Sequence, residues 1–91
     1  PHIMTTIIGR HKVGNFNTWL KGHQDRVDSF ASSTSGFKTF RDTDDPNGIV
    51  LVVEVTDMEK FKAMLESPES KKLQKKHTVI RPITVSMPVD I

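Results

Sequence analysis

With no cysteine among the 91 residues, chemistry near neutral pH falls first to four histidines. The absence of cysteine excludes disulfide staples, zinc–cysteine sites, iron–sulfur clusters and thiolate nucleophiles together. An imidazole titrates close to ambient pH, and partial burial tunes it further, so it suits general acid–base catalysis. His11 and His23 are the informative pair. His11 has the parity of Ile7 and Val13 on a strand, and His23 shares an apolar stripe with Leu20 and Val27 on a helix. Both are expected to enter the space between helix and sheet as catalytic candidates. Phe16, Trp19, Phe30, Phe37, Phe61 and Leu65 are expected to wall a pocket there, suited to a planar aromatic or polyketide-like ligand. Arg10, Arg41 and Glu54 are expected to form a charge network, with Arg41 as a further ligand contact. The plainer alternative is that each His is a core residue with satisfied hydrogen bonds, and that Trp19 is core. Whether His77 joins the site is open.

His11, His23 and His77 would supply three nitrogen ligands, but no HxH or HxxxH spacing exists, so no metal and no cofactor is expected. Lys71, Lys72, Lys75, Lys76, His77 and Arg81 form a basic run that reads as a solvated helix face. No aromatic is interleaved with it, so nucleic acid is not an expected partner.

The elements that must position these residues follow from periodicity and turn chemistry. Met4 to Val13 is rich in Thr and Ile and reads as a strand. Asn15 is a good helix N-cap, and the spacing of Phe16, Leu20, His23, Val27 and Phe30 predicts one helix over 16–30, with Trp19 flanking the stripe. Ala31 to Gly36 reads as a loop and Phe37 to Arg41 as a second strand. Asp44-Asp45-Pro46-Asn47-Gly48 is dense turn chemistry leading to a third strand, Ile49 to Val55. Asp57 can cap a helix carrying Met58, Phe61 and Leu65. Ser67-Pro68 interrupts it, and Glu69 to Lys76 makes a further helical piece. Val79 to Val89 is the fourth strand, with Pro82 and Pro88 placing it at an edge or in bulges. The order β-α-β-β-α-β is the ferredoxin-like arrangement, an α+β fold with an antiparallel sheet and two helices on one face.

A 10.3 kDa chain is one domain, expected over 4–91. Pro1-His2-Ile3 reads as a remnant ahead of a native start at Met4. The charge of +2 calls for no polyanion. The longest apolar run, Ile49–Val53, is far short of a membrane span, and no signal peptide is visible, so a cytoplasmic protein is expected. The third strand is apolar on both sides: Ile49, Leu51, Val53 and Val55 on one, Val50 and Val52 beside Glu54 on the other. One layer of helices covers only one side, so a homodimer packed sheet to sheet is expected.

Arg10-His11-Lys12-Val13, then Trp19, His23 and Arg26, then Gly36, Phe40-Arg41, Asp44-Asp45-Pro46-Asn47, Glu54, Asp57 and Ser67-Pro68-Glu69 follow in an order that resembles small proteins of the dimeric α/β-barrel superfamily. That superfamily holds antibiotic-biosynthesis monooxygenases, haem-degrading monooxygenases, polyketide cyclases and muconolactone isomerases. The resemblance covers nearly the whole chain from Met4. It implies sheet-to-sheet dimers and a cofactor-independent monooxygenase- or cyclase-like enzyme, with the substrate between helices and sheet. The alternative is a non-catalytic small-ligand-binding or interaction protein. The chain departs from such relatives at His77-Thr78-Val79, where Ala-Gly-Val is usual, and at Val55, where an aromatic is common. The haem-degrading members use an Asn from strand one and a Trp from the second helix. This chain has neither there, so haem degradation is not implied.

Overall fold

The β-branched run of β1 (Thr5–Val13) alternates as a half-covered strand must. Ile7 and Val13 are buried, Gly9 and His11 half-buried, and Thr6, Ile8, Arg10 and Lys12 exposed. The computed structural model describes residues 4–91, so the suggested remnant at 1–3 lies outside the described residues. β3 (Gly48–Val55) has the expected parity, with Ile49, Leu51, Val53 and Val55 buried and Val50, Val52 and Glu54 half-buried. β2 (Thr34–Arg41) begins at Thr34 rather than Phe37, and β4 (Val79–Ser86) ends at Ser86 rather than Val89. The four strands form one antiparallel sheet in the order β2-β3-β1-β4. β4 is therefore an edge strand, where Pro82 costs no ladder hydrogen bond on the solvent side. Its register against β1 shifts between Arg10 and Lys12, at His11.

The turn before β3 closes as its residues dictate. The Asp45 carboxylate accepts from the Asn47 amide at 2.9 Å, and the Gly48 amide donates to the Asp45 carbonyl at 2.9 Å. Each predicted cap is in place. Asn15 accepts from Thr18 N–H at the start of α1 (Phe16–Leu20), and Asp57 accepts from Lys60 N–H at the start of α3 (Met58–Leu65). Ser67 accepts from Ser70 N–H at the start of α4 (Pro68–Lys76), whose first-turn proline needs no donor.

The predicted single helix over 16–30 is two, because the chain breaks at Lys21-Gly22 before α2 (His23–Phe30). The break has a packing reason. A Cβ on Gly22 would lie 2.6 Å from atoms of the His77 ring, so only glycine lets that ring approach. The break also sets the phase of the helical face. Trp19 and Phe30 turn inward, while Leu20, His23 and Val27 are exposed. The core is Ile7, Val13, Trp19, Phe30, Ile49, Leu51, Val53, Val55 and Phe61, between the helices and one face of the sheet.

On the other face Ile8 pairs with Val52, and Val50 lies between Arg10 and Phe40. Ile8 and Phe40 are exposed there and no helix covers them. The expected network of Arg10, Arg41 and Glu54 does not form, because each finds a nearer partner. Arg10 meets Asp42 at 4.0 Å, and Glu54 accepts from Thr6 at 2.8 Å. The Arg41 guanidinium lies 3.7 Å from the Phe16 ring centroid and donates to the Pro46 carbonyl at 2.7 Å.

Candidate functional site

The sheet and helices do not meet everywhere. β1 carries Gly9 between Leu51 and Val85 on the covered face, and nothing lies within 4 Å of where a Cβ on Gly9 would sit. A cavity of about 80 Å³ remains at this level. Its apolar wall includes Ile7, Leu51, Val53, Phe61, Leu65 and Ile83. Its polar members are His11, Asp25, Arg26, Ser29, Ser70, Gln74 and His77. Leu65, Ile83 and Val85 also line an adjoining surface depression rimmed by Lys62, Glu66 and Arg81.

His11 is placed by β1, in unbroken register with β3 opposite Ile49, and faces the irregular stretch of β4 between Ile80 and Thr84. Its ring packs edge-on to Trp19 with centroids 5.8 Å apart. Nδ1 lies 3.1 Å from the Lys12 carbonyl oxygen. A ring that donates from Nδ1 to that carbonyl keeps its lone pair on Nε2. Burial lowers the His11 pKa below the ordinary histidine range; the Lys12 contact opposes the shift and the Arg26 charge adds to it. His11 is thus neutral at neutral pH and able to accept a proton.

Arg26 lies across the indole of Trp19, its Cζ 3.8 Å from the ring centroid, and donates to the Trp19 carbonyl at 2.8 Å. His77 caps the C-terminus of α4, is buried against Gly22, and holds the Asp25 carboxylate 3.2 Å from its Nε2. Thr78, next in the chain, has the left-handed φ of 63° that a helix C-terminus usually gives to glycine. Two hydrogen bonds between its hydroxyl and the Asn15 backbone, and a third from Gly14 N–H to its carbonyl, hold it there. Burial lowers the His77 pKa, Arg26 pushes the same way, and Asp25 opposes.

Of the residues singled out in the sequence, His11, Trp19, Phe30, Phe61 and Leu65 line the cavity. His23, Phe16, Phe37 and Arg41 do not. His23 is exposed, 5.7 Å from the Phe37 ring, so the two imidazoles do not converge between helix and sheet. The Gly22 break turns His23 out and lets His77 come in. Arg26, Asp25 and Gly9 were missed as site residues. For Gly9 the signal was a glycine in the middle of an otherwise β-branched strand; the break between α1 and α2 hid the placement of Asp25 and Arg26. Among the described residues no three His, Asp or Glu side chains gather as a metal site, and no helix is long and apolar enough to cross a membrane.

The sequence matches no protein-family model and no curated protein. Solved structures do match. The cofactor-independent oxygenase SnoaB from Streptomyces nogalater is 15% identical, with a TM-score of 0.71 over 97% of this chain and 95% of that one. A candidate antibiotic biosynthesis monooxygenase from Bordetella bronchiseptica is 16% identical, with a TM-score of 0.73 over 97% of both chains. Another from Nitrosomonas europaea is 13% identical, with a TM-score of 0.68 over 100% of this chain and 93% of that one. With its four-stranded antiparallel sheet and one layer of helices, the chain has the ferredoxin-like α+β fold of the antibiotic biosynthesis monooxygenase structures.

Proposed function

We propose that the chain is a cofactor-independent monooxygenase- or cyclase-like enzyme acting on a small planar aromatic or polyketide-like molecule in the helix–sheet cavity. One observation carries this reading: a neutral, half-buried His11, fixed through Nδ1, lines a partly open cavity whose wall is mainly aliphatic and aromatic. A cavity of roughly 150 Å³ holds a benzene. The smaller space here suits the reacting edge of a planar molecule whose remainder lies in the adjoining depression. His11 acts as general base and removes an acidic proton, from a phenol or from a methylene between two aromatic rings. As an oxygenase the resulting anion reacts with O2. The methylene becomes a carbonyl with one oxygen atom of O2, and the other leaves as water with the two hydrogens. As a cyclase the anion attacks within the same molecule.

The same reading makes the working unit a homodimer. The supporting feature is the uncovered face, where Ile8, Val50, Val52 and Phe40 form an apolar patch that a second copy can cover.

The test is turnover of an anthrone under air, followed by O2 uptake and quinone absorbance. His11→Ala is expected to reduce kcat/KM by on the order of 100-fold or more, as loss of a positioned base does. His23→Ala, outside the cavity, is expected to stay within about twofold. The rate is expected to rise with pH and level off once His11, with its lowered pKa, has lost its proton. Product without O2 uptake selects the cyclase. Binding without turnover by any substrate returns the chain to a ligand carrier.

A further inference from the structure

Among the described residues the cavity carries one cation, Arg26, that the protein does not pair directly with an anion. Arg26 lines it, and burial pulls its pKa down from the usual arginine value to about 10, with Asp25 only partly opposing. Among the described residues its guanidinium forms no ion pair. The neighbouring carboxylate, Asp25, is turned to His77. What Arg26 has instead is one neutral acceptor, the Trp19 carbonyl, and the face of the Trp19 ring. Its Nε is buried with no acceptor, and so is the Nε1 of Trp19 beneath it. The two imidazoles on the cavity, His11 and His77, carry no negative charge in either protonation state, so neither pairs with Arg26. The rest of the wall is mainly aliphatic and aromatic.

A half-buried guanidinium whose Nε is cut off from water without an acceptor gains when an acceptor arrives to meet it. A planar fork of N–H groups is the shape that a carboxylate or a delocalised phenolate fits. We propose that Arg26 recognises an oxyanion, so that the cavity selects a compact planar ligand bearing a carboxylate or an acidic hydroxyl. This rests on the reading of the cavity as the ligand site. It narrows that reading from any apolar ring compound to an acidic one. It also gives Arg26 a part in the chemistry. When His11 takes the proton of an acidic hydroxyl, the negative charge left on the ligand oxygen meets a fixed cation already in place.

Trp19 is the only tryptophan, and it lies under Arg26, so its fluorescence reports occupancy directly. Three probes separate the possibilities: benzoate, uncharged benzamide of the same shape, and 4-nitrophenol, whose ionisation is visible by absorbance. At neutral pH benzoate is expected to bind at least about tenfold tighter than benzamide, the worth of a charge-assisted hydrogen bond. Bound 4-nitrophenol is expected to ionise about one pH unit lower than when free. Arg26→Gln is expected to bring benzoate and benzamide to within about twofold, and Arg26→Lys to keep part of the preference. If Arg26→Gln fails to fold, the wild-type comparison of benzoate with benzamide decides alone. Preference for benzoate without a shift in 4-nitrophenol identifies a ligand that arrives as a carboxylate, and the reverse identifies an ionisable hydroxyl. Equal binding of benzoate and benzamide with an unshifted 4-nitrophenol overturns the oxyanion proposal and leaves the cavity as a ligand site. No binding by any of the three overturns the cavity reading and this proposal with it.

Discussion

The two faces of the sheet use the same strands for opposite ends. On the covered face the rows read Ile7 beside Val53 and Phe37, Gly9 beside Leu51, and His11 beside Ile49. Large apolar side chains fill the space against the helices except at Gly9 and His11, where one residue has no side chain and the other a polar ring. On the uncovered face the rows read Ile8 between Val52 and Ser86, and Arg10 between Val50 and Thr84, with Glu54 held by Thr6. Packing there is shallow and polar groups are satisfied within the sheet. The covered face holds the fold together and also has a place where packing is given up. That combination is what a ligand site in a small domain requires.

The largest test of this contrast is Phe61→Ala. Phe61 is 3% exposed and stacks edge-on with Phe30 at 5.3 Å, so truncation leaves a void that the helices only partly close. A loss of about 3–5 kcal/mol is expected in denaturant unfolding. In a 91-residue chain that is a large share of the stability. If the loss were under about 1 kcal/mol, the covered face would not be the stabilising one.

Next in size is Gly22→Ala. Its Cβ would meet the His77 ring at 2.6 Å, so either α2 or His77 must move. A cost of about 1–3 kcal/mol is expected, as for overpacking elsewhere. If the His77 ring is what moves, it loses the burial that lowers its pKa, seen as a rise of its titration toward the ordinary histidine range.

How much of this was legible in the sequence divides along the same line. Strand parity was, because alternation is written into side-chain types: Ile7, Gly9, His11 and Val13 are on the covered side as read, and so are Ile49, Leu51, Val53 and Val55. The caps at Asn15 and Asp57, the interruption at Ser67-Pro68 and the Asp45–Gly48 turn were legible too, because their chemistry is local. The helical phase was not. Reading 16–30 as one helix put His23 inside. The break at Gly22 depends on the ring of His77, fifty-five positions away, and no local pattern carries that. For the same reason His77 read as part of a solvated basic run. It is 6% exposed, while Lys71, Lys72, Lys75 and Lys76 of that run are exposed. The large apolar helix residues of the cavity, Trp19, Phe30, Phe61 and Leu65, were readable, whereas its polar members Asp25, Arg26 and His77 were not, because helix rotation is settled by what packs against it.

Gly9→Val is expected to act in the other direction. Gly9 keeps an ordinary strand backbone, and an added Cβ meets nothing within 4 Å. A β-branched side chain should therefore stabilise the strand by about 0.5–1 kcal/mol, by restricting the unfolded chain and filling the void. For a domain of this size that is a rise of a few degrees in Tm. Ligand binding should fall at the same time, because the side chain occupies the cavity. A rise in Tm with binding unchanged would place the ligand elsewhere.

The smallest expected change is on the uncovered face, and there its sign matters more than its size. Thr6 donates to both carboxylate oxygens of Glu54 at 2.8 Å, and the contact is exposed. Removing it with Thr6→Val should cost under about 1 kcal/mol, as for other solvent-exposed polar pairs. The valine extends the apolar row formed by Ile8, Val50 and Val52. If two copies cover each other through this face, added apolar area should strengthen their association, seen in sedimentation equilibrium as a lower dimer dissociation constant. If association weakens instead, the freed Glu54 carboxylate is being buried at the contact, and the Thr6–Glu54 pair is part of what holds the copies together. A chain that sediments at 10.3 kDa at micromolar concentration with either residue at position 6 leaves the uncovered face without a second copy. The contrast between the two faces would then be one of packing alone.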